Sequence, residues 1–286
     1  MIYETIDLYE YFGIKKSETA RGFLSVYAHS QFEEFRKGRT RPAMLVIPGG
    51  GYAFVSKREG ECIAIKFLSE GFNSFVLDYS TSPNSYPTQL LEGVMAMIYI
   101  RENADSLGVD KSKVSAVGFS AGGHLCSMLA TIWDEKEIKA VLGEKVNFAR
   151  PDAVILSYPV ITLGELTHKG TSDVLTGGDK ELIERLSTHN RVNKNSSPAF
   201  IWTTVDDGAV PMENSLMMAK AYKKAGVPFE LHVFESGLHG LSLATKETSR
   251  FNEDQLLINK PVSKWVKLSL TWLQNKGFIL KHAGEN

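Results

Sequence analysis

The chain predicts an α/β fold with a mostly parallel central sheet flanked by helices and a small cap-like insertion. Three observations predict it. Short apolar, β-rich runs alternate with stretches of helical spacing, as βαβ units require. Gly and Pro fall where those stretches should start or stop. Hydrophobic residues make up 43% of the 286 residues, enough to cover a sheet on both faces. Together they read residues 1–286 as a single domain.

The elements follow in order. Within the first 35 residues one strand is legible, Gly22–His29, suited to an antiparallel edge. The buried strand Ala43–Pro48 precedes a helix at Glu59–Ser69, with Gly71 beyond it as a stop. Next come strand Ser74–Tyr79 and helix Pro87–Asn103, whose Pro87 suits a first helical turn. Strand Val114–Phe119 runs into helix Ala121–Trp133, and strand Ala153–Tyr158 follows. Between Pro159 and Pro198 the rhythm lapses into Gly, Ser, Thr and Asn around a short helical piece at Lys180–Leu186. Residues 160–197 are therefore expected to be an insertion over one end of the sheet. Strand Ala199–Val205 and helix Met212–Ala225 resume the pattern, and Gly226 and Pro228 stop that helix before strand Phe229–Phe234. Helix Val262–Asn275 closes it.

Lys plus Arg number 32 against 33 Asp plus Glu, a formal net charge of −1. No basic field exists to hold a phosphate backbone, so nucleic acid is excluded as a partner. Cys62 and Cys126 are too few for a disulfide framework and lack zinc-site spacing, which fits a reducing compartment. The first residues carry Glu4 and Asp7 where a secretory signal needs a basic stretch, and no run approaches the roughly 18 apolar residues of a membrane span. A cytoplasmic location without membrane contact is the expectation.

Chemistry concentrates after the strands. Gly118-Phe119-Ser120-Ala121-Gly122 fits G-x-S-x-G at a strand-to-helix junction. A tight turn there exposes the Ser120 hydroxyl at a helix N-terminus, where free amides favour developing negative charge. A glycine-rich turn could merely link two elements, but the junction favours a nucleophile. Pro48-Gly49-Gly50-Gly51-Tyr52 closes an earlier strand, and its amides, with that of Ala121, could bind an oxyanion because no side chain blocks the approach.

A nucleophilic serine needs a base and an acid, in the order Ser, Asp or Glu, His. Asp206 and Asp207 follow one strand; His239 follows the last, in a loop of small residues. Among His29, His124, His168, His189, His232, His239 and His282, only His239 has that setting. His124 is expected to fasten its helix and His232 to pack on the sheet. Asp207 is the expected acid, with Asp206 ordering the turn or capping the helix near Met212.

With these residues in place, the chain resembles the α/β-hydrolase superfamily and, within it, the acetylxylan-esterase-like branch of small bacterial sugar or xylan esterases. The likeness runs from about Ala43 to the last helix. It rests on Ile47-Pro-Gly-Gly-Gly-Tyr52, Val55-Ser-Lys-Arg-Glu-Gly60, Leu77-Asp-Tyr79, Gly118-Phe-Ser-Ala-Gly-Gly-His-Leu125, Phe200-Ile-Trp202, Asp207-Gly-Ala-Val-Pro211 and His239-Gly240. The resemblance implies Ser120 as nucleophile, His239 as base, Asp207 as acid, and amides near Gly50, Gly51 and Ala121 as oxyanion donors. It departs at Pro48, where hormone-sensitive-lipase-like esterases carry histidine.

The implied reaction is two-step hydrolysis of short acyl esters, acetyl above all, on a sugar or small oligosaccharide, with no metal or organic cofactor. A small-molecule ester is the expected partner, and a homodimer is one assembly the sequence leaves open. Tyr52, Phe54, Arg58, Tyr79 and Tyr86 are candidates to line a sugar-sized pocket. Three other readings compete: a peptidase, which usually adds a large gating domain; a lipase, which wants an amphipathic lid that 160–197 is too polar to supply; and a ligand-binding module without catalysis.

Overall fold

The computed structural model describes residues 1–32, 34, 39–249 and 257–279. In chain order the elements are β1 (Ile2–Asp7), α1 (Leu8–Phe12), β2 (Phe23–Ala28), β3 (Arg41–Ile47), α2 (Glu61–Ser69), β4 (Asn73–Asp78), α3 (Thr88–Glu102) and α4 (Ala104–Leu107). There follow β5 (Val109–Phe119), α5 (Ala121–Thr131), α6 (Lys136–Leu142), β6 (Ala153–Ser157), α7 (Lys169–Thr176), α8 (Lys180–Leu186), β7 (Ala199–Thr204), α9 (Glu213–Ala225), β8 (Phe229–Phe234) and α10 (Trp265–Asn275).

The strands form one eight-stranded sheet in the order β1-β2-β4-β3-β5-β6-β7-β8. β2 runs antiparallel to β1 and to β4, and from β4 through β8 all neighbours are parallel. Side chains alternate between two cores. Ala43, Leu45 and Ile47 pack with α3, α5 and α9 on one face, while Met44 and Val46 pack with α2 and α10 on the other. Burial on both faces is why the central strands read as unbroken apolar runs.

Departures from the sequence reading occur where burial is partial. β1 was not anticipated, because Tyr3, Glu4 and Thr5 are exposed on an edge strand whose polar residues break the apolar pattern. β5 begins at Val109, ahead of the expected Val114. Its polar start, Asp110 to Lys113, is where the register with β3 shifts. β8 is a half-buried edge, not a fully buried strand. α6 and α7 were also unforeseen; α7 is capped by His168, whose ring accepts from the Thr171 amide. Among the described residues no helix is long and apolar enough to cross a membrane.

The carboxyl ends of the parallel strands carry the loops of interest, as open α/β sheets require. Between β5 and α5 the chain turns so tightly that neither flanking glycine has room for a side chain. A Cβ on Gly118 would lie 2.3 Å from the Gly122 carbonyl oxygen, and one on Gly122 would lie 2.2 Å from the carbonyl oxygens of both Ile47 and Pro48. Backbone cannot yield as a flexible side chain does. Gly122→Ala is therefore expected to destabilise the fold by about 3 kcal/mol or more, measured as a lower urea midpoint at unchanged m-value. A midpoint equal to that of the parent would show that α5 can move off β3.

Candidate active site

Ser120 occupies the turn between β5 and α5 with φ 55° and ψ −119°. Non-glycine residues seldom adopt such a conformation unless their surroundings impose it. Its amide donates to the Ser157 carbonyl at the end of β6 (3.1 Å), and its own carbonyl accepts from Val160 (3.1 Å). The turn is thus tied to the neighbouring strand on both sides.

The Ser120 Oγ lies 2.8 Å from His239 Nε2, and His239 Nδ1 lies 2.7 Å from Asp207 Oδ2. A carboxylate only accepts, so Nδ1 carries the ring proton and Nε2 offers its lone pair to the serine hydroxyl. The Asp207 side chain is 1% exposed, and its other oxygen accepts from the amides of Ala209 and Val210, both at 2.9 Å. One carboxylate therefore orders its own turn and orients the imidazole. Asp206 does neither: it reaches across to β8's loop, accepting from Gly237 N (2.6 Å) and Ser236 Oγ (2.9 Å), and α9 has no side-chain cap. Contrary to the expectation from sequence, Asp206 neither orders the turn of Asp207 nor caps α9.

The amides expected to face a substrate oxygen surround Ser120. Ala121 is the first residue of α5, so its N–H has no intrahelical acceptor. In the glycine loop, Gly49 N is taken by Glu59 Oε2 at 2.8 Å, which leaves Gly50 and Gly51. Gly50 has φ 125°, and a Cβ there would lie 2.0 Å from the Phe54 carbonyl oxygen; Gly51 has φ 64°. Gly50 has no room for a side chain, and the positive φ at Gly51 favours glycine.

A buried network that the sequence did not reveal supports this loop. Glu59 is 3% exposed, and its second oxygen accepts from Tyr158 Oη at 2.7 Å. Tyr158 Oη accepts in turn from Ser242 N at 2.9 Å, and the ring stands edge-on to His239 with centroids 5.1 Å apart. Arg58 holds the carbonyls of Thr248 (2.6 Å) and Gly240 (3.0 Å). Glu59 and Tyr158 are 99 residues apart, so no local pattern could pair them.

A cavity of about 720 Å³ opens over Ser120 and His239. Gly50, Gly51, Phe54 and Arg58 form one wall, and His168, Gly170 and Val174, from within 160–197, form another. Of the candidate pocket residues, Phe54 and Arg58 line it, whereas Tyr52 and Tyr79 are fully buried. Tyr79 donates to Pro48 O (2.8 Å) and Tyr86 to Glu137 (3.2 Å). Of the remaining histidines, His232 packs on Phe200 (centroids 5.0 Å apart), and His282 lies outside the described residues. Among the described residues no group of three or more His, Cys, Asp or Glu could hold a metal ion.

Ester hydrolases recur among the proteins this chain is similar to. The BD-FAE family model matches residues 32–222. Endo-1,4-beta-xylanase B of Butyrivibrio fibrisolvens is 40% identical over 238 residues, covering 80% of this chain and 36% of that protein. The acetylxylan esterase of Xylanibacter ruminicola is 29% identical over 233 residues, covering 79% of this chain and 45% of that protein. The chain thus spans less than half the length of these two relatives. The crystal structure of an acetyl ester-xyloside bifunctional hydrolase from Caldicellulosiruptor lactoaceticus superposes with a TM-score of 0.76 at 35% identity, covering 90% of this chain and 89% of that one.

His124 illustrates a histidine used for structure. Its Nε2–H donates to the Leu186 carbonyl (2.9 Å), which leaves Nδ1 to accept from Tyr52 Oη (3.0 Å). Burial lowers its pKa to about 4, so the folded state holds it neutral. The unfolded chain binds the proton first, and stability is full above pH ~6.5 and declines as pH falls toward 4. Between pH 7 and pH 5 the parent should lose about 2 kcal/mol more stability than His124→Gln in urea unfolding. Parallel losses in both proteins would rule this out.

Proposed function

Since the chain belongs to the BD-FAE family and has an α/β-hydrolase fold, we propose that it is a serine carboxylesterase acting on short acyl esters. The observation that carries the proposal is the hydrogen-bonded chain from Ser120 through His239 to Asp207. His239 takes the serine proton as Oγ attacks the ester carbonyl, and it delivers that proton to the leaving alcohol oxygen. Asp207 stabilises the imidazolium formed between these steps. Water, activated by the same histidine, then releases the acid from the acyl-enzyme. The amides of Gly50, Gly51 and Ala121 receive the carbonyl oxygen as it becomes negative. Each such donor is worth roughly 100- to 1000-fold in turnover.

For the substrate, we propose acetyl esters of sugars or small oligosaccharides. What supports this is the company the chain keeps, an acetylxylan esterase and an acetyl ester-xyloside hydrolase. A cavity of about 720 Å³ lies within the range of small-molecule sites.

Two variants separate the roles. Ser120→Ala should reduce turnover of p-nitrophenyl acetate by about 10⁶-fold, and Asp207→Asn by about 10⁴-fold by misdirecting the tautomer. The assay runs p-nitrophenyl esters from acetyl to octanoyl beside acetate release from acetylated xylose. Turnover that favours acetyl and vanishes in Ser120→Ala supports the proposal. Equal, near-background rates in parent and variant would instead favour a ligand-binding module.

A further inference from the structure

His168 and Phe54 stand beside the two glycines whose amides are proposed to receive the carbonyl oxygen. His168 caps α7, its Nδ1 lying 3.3 Å from Thr171 N and 2.9 Å from Thr171 Oγ1. Because a backbone N–H only donates, Nδ1 is the acceptor, and the ring proton sits on Nε2. That Nε2–H, on the far side of the ring, makes no hydrogen bond to any described residue. The ring lines the cavity of Ser120, with Cε1 3.5 Å from where a Cβ on Gly51 would stand. Burial lowers the His168 pKa against the opposing pull of Asp207, which favours the neutral imidazole. His168 and His239 line the same cavity, and a leaving alcohol must lie beside His239 to receive its proton.

Phe54 lies next to Gly50, its Cδ2 3.2 Å from the Cβ position there. It is 60% exposed although it lines the cavity. Its ring is therefore open to a molecule held in the cavity, and aromatic side chains commonly line such sites.

We infer that His168 and Phe54 form the subsite for the alcohol portion of the ester and select a polyhydroxylated ring, with Phe54 covering its apolar face and His168 Nε2–H donating to one of its oxygens. This rests on the esterase reading above and deepens it.

The test compares xylopyranose monoacetate with p-nitrophenyl acetate, whose leaving group is flat and has no hydroxyl beyond the ester. His168→Asn retains a side-chain acceptor for the α7 cap but cannot reach the ring oxygen. It should lower the ratio of kcat/KM, sugar ester over p-nitrophenyl ester, by about tenfold. Phe54→Ala, at an exposed site, should lower the same ratio chiefly through KM. Unchanged ratios in both variants would overturn the subsite, as would a parent enzyme that cleaves p-nitrophenyl acetate but not the sugar ester. Those outcomes leave the esterase reading standing, because that reading fails only if Ser120→Ala cleaves p-nitrophenyl acetate as fast as the parent.

Discussion

The close crossing of α5 over the ends of β3 and β5 is the constraint from which the site follows. Gly118 and Gly122 leave no room for side chains, and the backbone between them turns through a left-handed residue at Ser120. A serine in that conformation is unfavourable in isolation. Here it persists because Ser120 is tied to Ser157 and Val160 by main-chain hydrogen bonds and because α5 packs against β5 and β6. The strain serves the site: the same turn lifts Oγ out of the sheet and leaves the first amide of α5 without an intrahelical partner.

Precision elsewhere comes from a buried carboxylate. Glu59 holds the glycine loop through Gly49 and, through Tyr158 and Ser242, the loop that carries His239. Removing such a charge from water is costly unless its oxygens are paired, and both are. Tyr158 adds its ring edge against His239, while Arg58 fastens Gly240 and Thr248 from the same short turn. Loops that are far apart in the chain are thereby set relative to one another by a few strong hydrogen bonds, which a hydrophobic core alone does not direct. Asp206 adds a surface tie between the loop of Asp207 and that of His239.

The same economy governs the segment 160–197. It supplies one wall of the cavity through His168 and α7, and it is anchored both by polar contacts, Leu186 O to His124 and the amides of Ile161 and Thr162 to Asn214, and by Ile161, Leu175 and Leu186 buried in the core. Because the anchoring is shared between polar contacts and scattered buried residues, the segment shows no apolar period in sequence.

The amino-acid sequence by itself determined the alternation of strands and helices, because burial on both faces writes apolar runs and helix punctuation directly into the chain. It also pointed to Ser120 and His239, since each follows a strand in a turn of small residues, a local requirement with a local signature, and it favoured Asp207 over the adjacent Asp206, which follows the same strand. Only the tertiary structure decided the rest. The polar edge strand β1, the uptake of Gly49's amide by Glu59, the burial of Tyr52 and Tyr79, and the arrival of His168 beside Gly51 all depend on contacts between residues distant in sequence. Such contacts are selected by geometry across the folded core, and no spacing along the chain encodes them.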